Sequence, residues 1–123
     1  MPRENREAPG DRARLGHMLS AAREGISFVQ GKARADLDTN AMLRRALVNA
    51  IQEIGEAAVR TGSVARGRVA GVDWVQVVKM RNILVHVYWG LDLDIVWQTA
   101  TEDLAPLIAA LDSALASWPD PDR

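Results

Sequence analysis

The sequence predicts an all-α fold, an antiparallel up-down bundle of four long helices with room for one extra short helix. Two observations support this prediction. Apolar residues recur at helical spacing in four separate stretches, and the segments between the stretches are short and rich in glycine and polar residues. Because each amphipathic helix must bury its apolar face, helices joined by such short connections pack most simply as an antiparallel bundle.

The chain of 123 residues is expected to form one domain, which we place at residues 11–118. Residues 1–10 are polar and contain Pro2, Pro9 and Gly10. This composition predicts a disordered tail, and residues 119–123 are expected to fray at the other end.

Composition excludes several classes of function. The absence of cysteine excludes disulfides and thiol catalysis. Fifteen basic and sixteen acidic residues give a formal net charge of −1, so any RNA contact requires a local basic patch or one assembled by oligomerisation. No stretch reaches the roughly twenty apolar residues that span a bilayer, and the first ten residues lack a signal core. We therefore expect a soluble, cytoplasmic protein without a membrane partner.

The first helix is predicted with Asp11 as its N-cap and Gly31 as its stop. His17 lies beside its apolar stripe and is interpreted as a surface or partly buried histidine, because one histidine makes no metal site. The stripe consists of Leu15, Met18, Leu19, Ala22, Ile26 and Val29.

The second helix follows capping candidates between Asp36 and Asn40, and its stripe runs from Leu43 to Ala57. Gly55 costs about 1 kcal/mol relative to alanine inside a helix, which a close approach of a neighbouring helix would explain. The connector at residues 61–72 contains three glycines, and Arg60, Arg66 and Arg68 make it locally basic. It is interpreted as a solvated loop with one short helical turn, and the alternative is a nucleic-acid contact.

Glu53 and Glu56 share a second face of this helix with Asn49. They form either a solvated face or carboxylates that orient Arg81, and the spacing leaves both open.

The third helix is predicted from Trp74 to Trp89, with Asp73 as its cap and Gly90 as its end. Many valines favour a strand, but the length of the run and the lack of strict alternation favour a helix. The fourth helix begins at Asp92 or Asp94. Its apolar stripe keeps phase across Pro106, so a kink is expected there.

The centre of the third stretch places four polar residues in an apolar run: Arg81, Asn82, His86 and Tyr88. Since a helix turns about 100° per residue, Arg81 and His86 point roughly 140° apart, and two faces carry polar groups. The helix could loosen near Gly90, or two copies could meet in a twofold dimer.

These residue types suit cleavage of a phosphodiester without a metal or cofactor. His86 can transfer protons near neutral pH, and the planar guanidinium of Arg81 matches phosphate oxygens. Asn82 and Tyr88 could support them by orienting His86 or by hydrogen bonding to the phosphate. The alternative is structural: Arg81 pairs with Glu53 or Glu56, and His86 is a satisfied buried histidine.

The pattern Arg81-x4-His86-x-Tyr88 resembles the signature of the HEPN superfamily, and the fuller set of residues resembles its HepT-like branch. The other matching features are Trp74, Met80-Arg81-Asn82, Asp92-x-Asp94-x-Val96-Trp97, Ile54–Ala58 and Glu102–Leu104. The resemblance implies a helical, homodimeric ribonuclease toxin with a composite cleft, acting on an RNA such as tRNA. It also implies an antitoxin of nucleotidyltransferase fold that adds AMP to Tyr88. The alternative is a non-catalytic HEPN bundle that serves as binding partner or nucleotide-binding subunit of a nucleotidyltransferase.

Overall fold

The computed structural model describes residues 10–82 and 92–119, and all regular structure in this part of the chain is helical. The all-α prediction is confirmed. No helix in the described ranges is both long and apolar enough to cross a membrane. The elements are α1 (Asp11–Val29), α2 (Asp36–Thr39), α3 (Ala41–Arg60), α4 (Ser63–Gly67), α5 (Trp74–Lys79), a 3₁₀ turn (Met80–Asn82), α6 (Leu93–Gln98), a π turn (Thr99–Asp103) and α7 (Leu104–Ala116).

The long helices α1 and α3 run antiparallel. At the start of α1, Asp11 accepts a hydrogen bond from the amide of Gly62, just beyond the end of α3, at 3.3 Å. Later in α1, a Cβ added at Gly25 would lie 3.9 Å from the Cβ of Ala50, in the middle of α3. The short connections therefore build the up-down arrangement that the sequence predicts.

The apolar stripes meet in two adjacent core clusters. One joins α1, the second half of α3 and α7, and the other joins α2, the first half of α3 and the region of Val96. Met80 is partly buried and packs against both clusters. The largest fully buried apolar side chains are Leu15, Met18, Leu37, Leu47, Ile51, Ile54, Val96, Leu104 and Leu111.

The start of α1 differs from the sequence prediction. The N-cap is Gly10, with φ of 85°, and no side chain caps the helix. Asp11 is instead the first helical residue and is fully buried, with Oδ1 2.8 Å from Nη1 of Arg14. Its carboxylate therefore binds Arg14 of its own helix and the amide of Gly62 just beyond α3, and it does not cap the first amides of α1. The predicted stop is consistent with the structure, since α1 ends at Val29 and Gly31 has a φ of 72°.

The connector after α3 is more ordered than a solvated loop. It contains α4, the expected short helical turn. Arg66 donates to the carbonyl oxygens of Ala58 at 2.7 Å and Thr61 at 3.0 Å, so it satisfies the open end of α3. Its guanidinium also lies over the ring of Trp74, 5.4 Å from the centroid. Arg66 therefore holds α3 and α5 together.

The third helix begins as predicted, because the side chain of Asp73 accepts from the amide of Gln76 at 3.3 Å. The α-helical hydrogen bonding gives way at Met80 to a 3₁₀ turn that ends at Asn82. The predicted continuation to Trp89 and the stop at Gly90 lie outside the described residues.

The last helical segment is continuous from Leu93 to Ala116 and begins at the cap Asp92, whose side chain accepts from the amide of Asp94 at 3.2 Å. Its irregularity is the π turn Thr99–Asp103, which directly precedes the turn that holds Pro106. Pro106 is the third residue of α7, where a missing backbone donor is tolerated. The sequence predicts a kink near Pro106, and the irregularity that the structure shows there is a change from α-helical to π-helical hydrogen bonding.

Candidate functional site

Arg81 and Asn82 lie together in the 3₁₀ turn after α5, and both are exposed. The preceding residue, Met80, points inward and packs on both core clusters. The turn therefore anchors itself by Met80 and presents the next two polar side chains outward. His86 and Tyr88, the other two residues of the predicted site, lie outside the described residues.

The backbone of the turn lies directly on α3 at Gly55. A Cβ built on Gly55 would lie 2.7 Å from the Cα of Arg81 and 2.7 Å from the carbonyl carbon of Met80, and closer still to the amide nitrogen of Arg81. Only a residue without a side chain permits this contact. The close approach expected from a glycine inside the second helix is present, and the segment that approaches carries Arg81.

Glu53 and Glu56 lie on a different side of α3 from this contact. At about 100° per residue, Glu53 points roughly 160° away from Gly55 and Glu56 roughly 100° away. Both line a groove of about 680 Å³ between α3 and α1. Arg14 and His17 of α1 face them across the groove, and Arg60 lies on their own helix. Asn49 donates to Glu53 at 3.3 Å, so the predicted shared face exists.

Arg81 makes no ion pair with Glu53, Glu56 or any other described residue; the pairs in this part of the chain involve Arg14, Arg23 and Arg34. Within the described residues of one chain, Glu53 and Glu56 therefore do not orient Arg81 as the sequence suggested. A guanidinium that is exposed and not neutralised by a carboxylate is available to an external anion such as a phosphate.

A second groove, of about 540 Å³, lies beside the turn and was not predicted. Lys79 and Met80 line one side, and Ile95, Glu102 and Asp103 line the other. Burial raises the pKa of Asp103 above its ordinary value, and the charge of Glu102 raises it further. The sequence offered only the spacing of Glu102 and Asp103 as a signal. It could not show that the π turn places them across from Lys79.

Comparisons with known proteins agree with one another. The sequence profile of the family described as "Ribonuclease HepT-like" matches residues 18–114. A protein of Methanocaldococcus jannaschii, named as a predicted RNase, is 32% identical over 93 residues, which cover 76% of this chain and 85% of that protein. Another protein named as a predicted RNase, from Caldanaerobacter subterraneus subsp. tengcongensis, is 30% identical over 93 residues, covering 76% and 83%.

A protein of Thermococcus cleftensis named "Probable ribonuclease HepT" is 31% identical over 62 residues, which cover 50% of this chain and 56% of that protein. No solved structure gives a significant match. The profile covers most of the helical domain, including Gly55, the 3₁₀ turn and the π turn. The chain therefore belongs to the HepT-like ribonuclease family.

Proposed function

We propose that this protein is the toxin of a toxin–antitoxin system, a metal-independent endoribonuclease. The observation that carries the proposal is the exposed Arg81 guanidinium, which has no carboxylate partner among the described residues and belongs to a turn fixed on the core. The structural alternative, in which Arg81 is neutralised by Glu53 or Glu56, requires an ion pair that the described residues do not form. The ribonuclease names of the relatives support the same conclusion.

In the proposed reaction, His86 takes the proton from a ribose 2′-OH. The 2′ oxygen forms a bond to phosphorus and the bond from phosphorus to the 5′ oxygen breaks. The leaving oxygen receives a proton, and the products are a 2′,3′-cyclic phosphate and a free 5′-OH. Arg81 stabilises the charge that builds on the phosphate oxygens, while Asn82 and Tyr88 support the phosphate or orient His86.

A homodimer completes the proposed site. Base and acid must act from opposite sides of the scissile bond, and each chain offers one histidine in the motif. Two copies of His86 facing one another across a twofold axis supply both groups. Exposed apolar side chains near the motif support such an interface, because Val75 is 65% and Ile95 is 43% exposed.

Neutralisation is proposed to occur at Tyr88. A nucleotidyltransferase antitoxin transfers AMP from ATP: the Tyr88 oxygen bonds to the α-phosphorus, pyrophosphate leaves, and the phenol proton is lost. The attached phosphate and base would occupy the cleft and repel an RNA phosphate. Glu53 and Glu56, if they contribute to cleavage, would act from the α1–α3 groove or toward a second copy of the chain.

The test is incubation of RNA with purified protein in the presence of a chelator. Wild type should cleave, and Arg81→Ala and His86→Ala should each lose roughly 10²–10⁴-fold in rate while keeping the helical circular-dichroism signal. Arg45→Ala is the matched control, because Arg45 is an exposed arginine on α3, ten positions from Gly55.

The outcomes separate the alternatives. If the Arg81 and His86 variants fold and cleave like wild type, the motif is not catalytic. If wild type binds RNA or a nucleotide without cutting, the chain is a non-catalytic binding partner of a nucleotidyltransferase. If cleavage requires a divalent metal, the proposed proton-transfer mechanism is wrong.

A further inference from the structure

We propose that Gly55 is a positioning residue for Arg81. The absence of a side chain at this point of α3 lets the backbone of Arg81 lie on the helix, and this contact fixes where the guanidinium meets its ligand. The inference rests on the proposed function, because it assigns Gly55 a role in phosphate binding by Arg81. It adds a residue that never touches the substrate.

The contact is one of backbone on backbone. All three of the atoms nearest to an added Gly55 Cβ belong to the main chain of Met80 and Arg81. Main-chain atoms in a turn cannot rotate away as the end of a side chain can. A methyl group at this position therefore has to move the whole 3₁₀ turn outward from α3.

Movement of the turn would act on Arg81 more than on the core. Met80 contacts both core clusters through a flexible side chain, which can adapt to a small shift. Arg81 and Asn82 are exposed, so the described core offers no second support for their side chains. A displacement of about 1 Å at a catalytic group can reduce a rate by roughly 10²-fold.

Two other helical glycines provide matched controls. A Cβ at Gly25 would lie 2.8 Å from Cδ1 of Leu104, the mobile end of a side chain far from the motif in sequence. A Cβ at Gly16 meets nothing within 4 Å. Gly25→Ala thus reproduces crowding in the core, and Gly16→Ala reproduces only the change of residue in a helix.

The first experiment compares RNA cleavage by Gly55→Ala, Gly25→Ala and Gly16→Ala at a temperature where melting curves show each protein to be folded. We expect Gly55→Ala to lose roughly 10- to 100-fold in kcat. The two controls should stay within about twofold of wild type, because their substitutions leave the Arg81 turn unmoved. Wild-type cleavage by Gly55→Ala, or an equal loss in Gly25→Ala, would overturn the proposal.

A double-mutant cycle separates positioning from general destabilisation. If Gly55 acts through Arg81, the double variant Gly55→Ala/Arg81→Ala should cleave no more slowly than Arg81→Ala alone. A double variant whose rate reduction equals the product of the two single reductions would contradict the inference. Should Gly55→Ala fail to fold, Arg81→Ala/Asn82→Arg tests the inference with Gly55 intact, because it moves the guanidinium by one position. Asn82→Ala is measured beside it to account for the separate loss of the Asn82 amide. Wild-type cleavage by Arg81→Ala/Asn82→Arg would show that the contact between the Arg81 backbone and Gly55 does not determine the function of the guanidinium.

A spectroscopic readout keeps this inference distinct from the proposed function. In ¹H–¹⁵N spectra, Gly55→Ala should shift the backbone amide signals of Arg81 and Asn82, whereas Gly25→Ala should leave them in place. If wild type cleaves no RNA, the ribonuclease proposal fails, and these shifts still decide whether Gly55 sets the position of Arg81. Unchanged signals in a folded Gly55→Ala would refute it.

Discussion

Arg66 and Trp74 connect the end of α3 to the start of the helix that leads to Arg81. The guanidinium of Arg66 lies 5.4 Å from the ring centroid of Trp74 and donates to the carbonyl oxygen of Ala58 at 2.7 Å. The planar guanidinium of Arg66 thus has two functions: it donates hydrogen bonds, and it lies as a cation over an aromatic face.

Arg66→Ala should lower the free energy of unfolding by about 2 kcal/mol, because charged hydrogen bonds and a cation–π contact are lost together. Arg66→Lys should recover less than half of this loss, since an ammonium lacks the fork. Denaturant titration measures both. Arg60→Ala, a change at an exposed arginine of the same region, is the control and should fall within about 0.5 kcal/mol of wild type. Equal stability of Arg66→Ala and wild type would contradict the assignment.

A homodimer built on the region Trp74–Trp97 is expected at micromolar concentration. Light scattering measures its mass. Val75→Glu should weaken it at least about tenfold, because burial of an unpaired carboxylate in an interface is costly. Met42→Glu is a matched control, since Met42 is 81% exposed at the start of α3 and remote in sequence from the motif. A monomeric wild type, or equal weakening by both substitutions, would exclude this interface.

Tyr88→Phe should retain much of the cleavage activity and resist neutralisation by modification. The substitution removes the oxygen that would accept AMP and keeps the aromatic ring. Intact-mass measurement after co-expression with a cognate nucleotidyltransferase should show one or more added adenylates on wild type and none on Tyr88→Phe. An unmodified wild type that the partner still silences would indicate inhibition by complex formation.

Asp103 should lower stability at neutral pH. Its pKa is raised in the folded protein, first by burial and then by Glu102, so the folded state binds a proton more readily than the unfolded state. The free energy of unfolding therefore falls as the pH rises through the range between the two pKa values, and the penalty persists above it.

Asp103→Asn should accordingly be slightly more stable than wild type at pH 7, with an advantage that shrinks as the pH falls toward the ordinary carboxyl pKa of about 4 and is lost below it. The effect should be a few tenths of a kcal/mol, because the side chain is largely exposed to solvent. Thermal unfolding at several pH values measures the difference. An advantage that is independent of pH, or a variant that is less stable at pH 7, would count against this explanation.

Features that depend on near neighbours in the chain could be predicted from the sequence. Asn40, Asp73 and Asp92 each accept from an amide two or three positions onward, so the cap and its partner are visible in one short stretch. The apolar stripes predicted the four main helical segments for the same reason, because apolar residues at helical spacing form the face that each helix buries.

Features that depend on contacts between distant residues could not be predicted. Asp11 was expected to cap α1, but it binds the amide of Gly62, fifty-one positions later. The spacing of Glu53 and Glu56 correctly placed them on one face, but only the packed structure shows that this face lies against α1. The sequence predicts a role for Arg81 because a cation in an apolar run is costly unless it is paired or used. Its contact with Gly55 depends on the relative position of two helices, which the sequence does not show.

The π turn Thr99–Asp103 also bears on how chain length can vary in this family. A π turn accommodates one residue more than an α-helical turn of the same span. Deletion of one residue between Thr99 and Asp103 would convert the π turn into regular α-helix. Pro106 would then lie in a helix interior, where a proline destabilises the fold by about 3 kcal/mol. The extra residue and the proline are therefore expected to be gained and lost together, and a homologue one residue shorter here should carry a residue other than proline at the position of Pro106.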